Sequence, residues 1–145
     1  MSAIGKYLPH GEPMILLDEL IECLEENVHA TVTLTDERPF CEHGRIPSYV
    51  ALEYMAQSIA AWNGYRAYER QEEPKIGFLL GSRRLTLNVP SFLVGETLDI
   101  YGKCHYNDGE MAAFECRIEK NRECIAEATL NVYQPKDITQ FNNET

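Results

Sequence analysis

The stretch of sequence that most constrains the fold runs from Pro39 to Trp62, PFCEHGRIPSYVALEYMAQSIAAW. It begins as a loop that contains His43 and two chain breakers, Gly44 and Pro47. It continues into a segment with almost no polar face, whose apolar members are Ala51, Leu52, Met55, Ala56, Ile59, Ala60, Ala61 and Trp62. A helix that is apolar on nearly all sides is a buried helix. The sequence therefore predicts one long helix inside the molecule.

Two polar residues interrupt this apolar helix. Glu53 and Gln57 are spaced i,i+4, so they lie on the same side of it. An ionised carboxylate is costly to bury without a partner, so Glu53 needs a reason to be there. Our hypothesis is catalytic, with Glu53 acting together with His43 across a small apolar tunnel. The structural alternatives are a carboxylate paired with Gln57 and a loop histidine bonded to the backbone.

The start of the helix offers a third chemical feature. Ser48 follows Pro47 and precedes the apolar run, which predicts that it is the N-cap, with Tyr49 and Val50 in the first turn. The first N–H groups of a helix have no partner within it, and the helix dipole is positive there. These groups could stabilise negative charge that develops on a carbonyl oxygen.

Composition limits the classes of function. A chain of 145 residues, 44% hydrophobic, predicts a single domain over residues 1–145 with a substantial core. A formal net charge of -10 argues against nucleic acid or an anionic membrane surface as the main partner. The sequence shows neither an apolar run of membrane-spanning length nor the pattern of a signal peptide. Five cysteines without C-x-x-C spacing predict reduced thiols in the cytoplasm, not a disulfide framework or a metal site.

The rest of the chain is dominated by strand patterns. Met14–Cys23 and an alternating segment, Val28–Thr35, predict a hairpin before the helix. After the helix, Ile76–Leu80 and Ser82–Val89 predict one long strand with a bulge at Gly81. Three further strands alternate cleanly, with inward positions at Leu98, Ile100, Gly102 and Cys104; Ala112, Phe114, Cys116 and Ile118; and Cys124, Ala126, Ala128, Leu130 and Val132. The prediction is an α+β fold, an antiparallel sheet of five or six strands wrapped around one long buried helix.

Three segments also carry a family resemblance. They are YLPHGEPMILLDEL near the start, PFCEHGRIPSYVALEYMAQ in the centre and VPSFLVGETLDI before the last strands. The chain resembles the hotdog-fold β-hydroxyacyl-ACP dehydratases of fatty acid synthesis, and more closely the small dehydratase-like proteins of aryl-polyene pathways. The most specific part is a histidine in a Gly/Pro loop followed by E-x-M-A-Q on a buried helix.

The resemblance implies a hydro-lyase that acts on a 3-hydroxyacyl thioester of acyl carrier protein and gives the trans-2-enoyl thioester. By position, His43 and Glu53 are the catalytic pair, and in the family they meet across a subunit interface. Ser48 would bind the thioester carbonyl through its backbone N–H, and Gln57 would orient the acid. The substrate arrives on the phosphopantetheine of the carrier protein, so no cofactor or metal is expected.

The partners expected from the sequence are acyl carrier protein and a second hotdog subunit. Arg83 and Arg84, with Lys103 as a weaker candidate, could form a basic patch for the acidic carrier protein, although a solvated strand end explains them equally well. A homodimer is expected, with a heteromer as the other option. Two alternative functions stay open, an acyl thioesterase on the same fold and a non-catalytic hotdog subunit. The loop between His43 and Glu53 is shorter than in fatty-acid dehydratases, which supports the alternative of a non-catalytic subunit.

Overall fold

The computed structural model describes residues 2–8, 15–73 and 77–134. Its elements in chain order are β1 (Ser2–Ala3), a 3₁₀ turn (Ile4–Tyr7), β2 (Glu19–Cys23), β3 (Asn27–Thr33), β4 (Arg45–Pro47), a second 3₁₀ turn (Ser48–Val50), α1 (Ala51–Glu69), β5 (Phe78–Leu87), β6 (Ser91–Leu93), β7 (Thr97–Asn107), β8 (Met111–Lys120) and β9 (Glu123–Tyr133).

The main sheet is antiparallel and wraps around α1. Its strand order is β1-β2-β3-β7-β8-β9-β5, so two-residue β1 forms one edge and ten-residue β5 the other. The inward positions of the last three strands are the ones that alternation predicts, with Ile100 opposite Ile118 and Ile118 opposite Ala126, all fully buried. The predicted hotdog fold is confirmed.

The helix lies against the inner face of this sheet. Ala51, Tyr54, Met55 and Ile59 recur at helical spacing and are nearly inaccessible to solvent, so one side of α1 forms the core together with the inward strand residues. Each large apolar side chain buried in this way stabilises the fold by about 1.5–3 kcal/mol relative to exposure. The opposite side of α1 is only partly covered by its own chain, because the sheet packs on one side of the helix.

The structure corrects two local predictions. The strand predicted over Met14–Cys23 is β2, which begins at Glu19; within the described residues before it, the backbone N–H of Leu16 donates to the Gln57 side chain instead of to a neighbouring strand. Met14 itself, like Ile76, lies outside the described residues. The segments predicted as loops on either side of the helix pair as a small two-stranded sheet, β4 with β6.

The bulge predicted at Gly81 is present, and β5 contains a second one. The register of β5 against β9 shifts between Leu79 and Gly81 and again between Arg83 and Thr86. Arg84, within the second bulge, has a φ of 56°, which is uncommon for a residue other than glycine. The edge strand is therefore irregular at two points.

Gly64 permits the closest contact between α1 and the N-terminal 3₁₀ turn. A Cβ at this position would lie 2.1 Å from the carbonyl oxygen of Tyr7, which is backbone and cannot rotate away. We expect Gly64→Ala to lower the free energy of unfolding by about 1–3 kcal/mol, the usual cost of overpacking. Chemical denaturation measures it, with Gly81→Ala as the control because a Cβ there meets nothing within 4 Å. Equal stabilities of the two variants would contradict this account of the packing.

All five cysteines are free thiols, and three of them are buried. Burial raises the pKa of Cys23 to about 11 and that of Cys116 to about 12, so both thiols stay protonated at neutral pH. In the described part of the chain, no helix combines the length and the apolar character that crossing a membrane requires.

Candidate active site

His43 lies at the tip of a two-residue hairpin. The N–H of Glu42 donates to the carbonyl oxygen of Arg45 (2.9 Å), and the N–H of Arg45 donates to that of Glu42 (3.0 Å). The two residues between them, His43 and Gly44, have φ values of 54° and 75°, as a type I′ turn requires. This tight turn closes the short loop noted in the sequence and leaves His43 exposed.

The turn is fastened to the rest of the fold on its C-terminal side. The carbonyl oxygen of Gly44 accepts a hydrogen bond from the N–H of Val94 (3.0 Å), and β4 then pairs with β6. Glu96 stabilises this support by accepting from the N–H of Leu93 (2.6 Å) and from Lys120 (2.5 Å). Burial alone would raise the pKa of the Glu96 carboxyl, but these hydrogen bonds and the charge of Lys120 lower it.

The start of the helix differs from the prediction at Ser48. Ser48 is buried, belongs to the 3₁₀ turn before α1 and makes no side-chain cap to the helix. Its backbone N–H donates to the carbonyl oxygen of Pro90 (3.2 Å), so it is not free to bind a thioester carbonyl. The predicted N-cap role of Ser48 is therefore wrong, because α1 begins three residues later, at Ala51. The carbonyl oxygen of Pro90 occupies the N–H that the predicted oxyanion role requires.

The backbone N–H of Tyr49 is the remaining free hydrogen-bond donor in the 3₁₀ turn before α1. As the second residue of the 3₁₀ turn its N–H has no partner within the turn, and among the described residues it has no acceptor elsewhere. Val50, the next residue, is buried with 2% of its surface exposed, and its N–H is positioned to close the turn on Pro47. Of the three backbone N–H groups expected from the sequence to bind a carbonyl oxygen, that of Tyr49 stays available.

Glu53 lies on the open side of α1. The sequence predicted a buried, desolvated carboxyl, and this is wrong within one chain, where Glu53 is exposed. The reason is that the sheet covers only the opposite side of the helix, where Tyr54 and Met55 are buried. The Glu53 side chain lines a large cavity, and it is the first helix residue to do so.

Gln57 has a structural contact that the sequence did not reveal. Its Oε1 accepts a hydrogen bond from the backbone N–H of Leu16 (2.9 Å), and 3% of its surface is exposed. This bond joins the middle of α1 to the segment that precedes β2. Gln57 also lines the cavity one turn beyond Glu53, so it anchors the helix beside the candidate acid.

The cavity has a volume of about 630 Å³ and lies along the border between α1 and the strands β8 and β9, where it reaches the open side of the helix. Its walls are mainly apolar, with Ala56 and Ala60 on the helix and Phe114 and Leu130 on the strands. Residues at helical intervals from Glu53 line it for several turns, which gives a channel that begins at a carboxyl group. A pocket of this size and composition is typical of small-molecule sites.

His43 does not line this cavity, so one chain does not bring the predicted catalytic pair together there. The imidazole and the Tyr49 N–H lie on the segment before α1, whereas the Glu53 carboxyl faces the cavity along the helix. The site predicted from sequence is thus divided between two surfaces of the chain.

Arg83 and Arg84 are both exposed, on the edge strand β5 at its second bulge. Lys103, a weaker candidate for the same basic patch, lies on β7, which two strands separate from β5. The structure therefore keeps the two arginines adjacent and leaves Lys103 out of their patch.

Most of the residues that line the cavity were not predicted from the sequence. An amide pair lines it, in which the Gln134 Nε2 donates to the Asn63 Oδ1 at 3.1 Å. Asn63 lies ten positions after Glu53, about 2.8 helical turns, so it is offset around the helix from Glu53 and the spacing alone does not identify it. Gln134 follows the last strand, and no motif marks it. Within the three described ranges, no cluster of His, Cys, Asp and Glu side chains is arranged to hold a metal ion.

Comparison with protein families gives a match over almost the whole chain. The model of the ApeP-like family, described as ApeP dehydratase, matches residues 2–143. Among solved structures, the chain is similar to a chain of the dehydratase heterocomplex ApeI:P from Xenorhabdus doucetiae. The two are 34% identical, the similarity covers 99% of each chain, and the TM-score is 0.90.

Relatives of lower sequence identity include further dehydratases. The chain is 27% identical to the 3-hydroxyacyl-[acyl-carrier-protein] dehydratase FabZ of a Wolbachia species from Brugia malayi, over 90% of this chain and 92% of the relative. It is 26% identical to FabZ of Streptococcus gordonii over 90% and 94%. A thioesterase-like structure from Streptococcus pneumoniae has a TM-score of 0.63 at 13% identity, covering 81% of this chain and 84% of the other, which shows a common fold alone.

Proposed function

Because the chain belongs to the ApeP-like dehydratase family, we propose that His43 and Glu53 eliminate water from a 3-hydroxyacyl thioester carried by acyl carrier protein. Family membership confirms the predicted hydro-lyase. The observation that supports the residue assignment is the position of Glu53, a carboxyl group that faces a long apolar cavity of about 630 Å³. An acyl chain fits such a cavity, and the carboxyl lies where the reacting carbons would be.

The elimination needs three groups. His43 takes the proton from C2, because a neutral imidazole is the side chain most often used as a general base in catalysis. Glu53, in its protonated form, gives a proton to the C3 hydroxyl, which leaves as water. The electrons of the C2–H bond form the C2=C3 double bond as the C3–O bond breaks. The Tyr49 N–H donates to the thioester oxygen, where negative charge builds up, and one such donor is worth about 3 kcal/mol.

The site is completed by a second subunit. Since His43 does not line the cavity that holds Glu53, the imidazole of one subunit meets the carboxyl of the other. The surface for this assembly is the first part of the edge strand β5, before its second bulge, where Leu79 and Leu80 have 47% and 58% of their surfaces exposed. A long edge strand with exposed leucines is stable when it pairs with another chain. The partner covers the open side of α1 and desolvates Glu53.

The partner subunit is a second copy of this chain or another hotdog subunit. The solved relative from Xenorhabdus doucetiae is part of a dehydratase heterocomplex, which supports the second option. Acyl carrier protein docks on Arg83 and Arg84 at the exposed bulge of β5, since its acidic surface needs a local basic patch on a chain of net charge -10. The reaction uses no cofactor of its own, and the free thiols fit a reducing cytoplasm.

A direct assay tests the proposed activity. The purified protein is incubated with 3-hydroxyacyl-acyl carrier protein, and the acyl group is followed by mass spectrometry. We expect a product lighter by one water molecule, the trans-2-enoyl thioester. Release of the free acid would show a thioesterase instead. Turnover only after a second hotdog subunit is added would assign the chain to a heteromer, and no turnover in either case would contradict the proposal.

A further inference from the structure

Arg38 is the centre of the loop that connects β3 to the His43 hairpin. Its backbone N–H donates to the carbonyl oxygen of Thr35, and its own carbonyl oxygen accepts from the N–H of Cys41, both at 3.2 Å. These two bonds form consecutive turns, the second of which ends two residues before His43. The position of Arg38 therefore sets where the hairpin begins.

The side chain of Arg38 ties this loop to two neighbouring segments. The Nη2 forms an ion pair with the Oδ1 of Asp18 and donates to the carbonyl oxygen of Thr33 at 3.0 Å, and the Nε donates to the same oxygen at 3.2 Å. The other carboxylate oxygen of Asp18 accepts from the N–H of Thr33 at 2.8 Å. The guanidinium thus fits a planar, forked site that a lysine cannot fill in the same way.

We propose that Arg38 and Asp18 form a clamp that holds the His43 imidazole in its catalytic position. The proposal rests on the catalytic role of His43 argued above, and it makes Arg38 and Asp18 positioning residues. The hairpin is attached on its C-terminal side by the Gly44 to Val94 hydrogen bond and the β4–β6 pairing. The clamp is the corresponding attachment on the N-terminal side, and without it the turn can pivot about Gly44.

The clamp is too exposed to act chiefly as a stabilising ion pair. The side chains of Arg38 and Asp18 are 22% and 35% exposed, and ion pairs near the surface contribute little to stability. The geometry of a general base is far more sensitive, because a displacement of 1 Å can reduce the rate about 100-fold. Removal of the clamp should therefore change catalysis much more than stability.

The first test compares Arg38→Ala with Arg117→Ala, which removes a similar arginine–carboxylate pair, with Glu119, from the outer face of the sheet. We expect kcat for enoyl formation by Arg38→Ala to fall about 100-fold, with KM unchanged and with a melting temperature close to that of Arg117→Ala. Arg38→Lys should recover only part of the loss, because a lysine lacks the fork. A wild-type kcat in Arg38→Ala, or full recovery of kcat in Arg38→Lys, would refute the proposal that the clamp positions His43.

The second test asks whether Arg38 acts through His43. In a His43→Ala background, Arg38→Ala should cause no further loss of the residual rate, because there is no longer an imidazole to position. Asp18→Asn should give the same pattern. An equal fold loss with and without His43 would show a general structural effect and refute the clamp. If His43→Ala alone keeps the wild-type rate, the proposed function fails instead, so the two failures are distinguishable.

Discussion

Replacing His43 by alanine is expected to lower kcat for enoyl formation about 10²- to 10⁴-fold, the usual contribution of a general base. The folded structure should be unaffected, because the imidazole lies exposed at the tip of its turn. Glu53→Gln should lower kcat by a similar factor, since an amide keeps the shape of the acid but has no acidic proton to give. Both rates are measured with 3-hydroxyacyl-acyl carrier protein under saturating conditions.

Matched controls separate the chemistry from general damage. His105→Ala removes another exposed histidine, whose nearest carboxylate, on Glu115, is 3.8 Å away. Glu69→Gln removes an exposed carboxyl from the last turn of α1. Both variants should keep wild-type kcat. Turnover at the wild-type rate in His43→Ala or Glu53→Gln would remove that residue from the mechanism, whereas equal losses in the controls would indicate a nonspecific effect.

The sheet was predictable because apolar and polar residues alternate along each strand, and this local pattern determines which side chains face the core. Ile100 and Ile118 could be assigned to the inner face from parity alone, and the structure pairs them there. The long helix was predictable for the same reason, from a run of apolar residues too long for a strand. The paired segments β4 and β6 were not, since each is three residues long and gains its stability from its partner.

The sequence indicates which residues form the candidate site, but it does not indicate their environment. The pattern around His43 and Glu53 identified two residues suited to acid–base chemistry, but nothing in it showed that the sheet covers only one side of α1. Glu53 was therefore expected to be buried and is exposed within one chain. Ser48 fitted the rule for a helix cap, and the rule failed because a 3₁₀ turn over Ser48–Val50 precedes α1, so the helix begins three residues after Ser48.

The proposed two-subunit site leads to the second prediction with a large expected effect. If His43 and Glu53 of the same chain never act together, a chain lacking one should complement a chain lacking the other. In a mixed dimer of His43→Ala and Glu53→Gln subunits, one site loses both groups and the other retains both. Random mixing makes half of the dimers mixed, each with one intact site of two, so about one quarter of the wild-type activity should return.

The most direct measurement is therefore the rate of enoyl formation after His43→Ala and Glu53→Gln chains are co-expressed or exchanged in equal amounts, compared with each variant alone. The account predicts two nearly inactive proteins that regain about one quarter of the wild-type rate when mixed. If the mixture is as inactive as its components while the wild-type protein turns over, the imidazole and the carboxyl do not meet across subunits, and the central claim is contradicted.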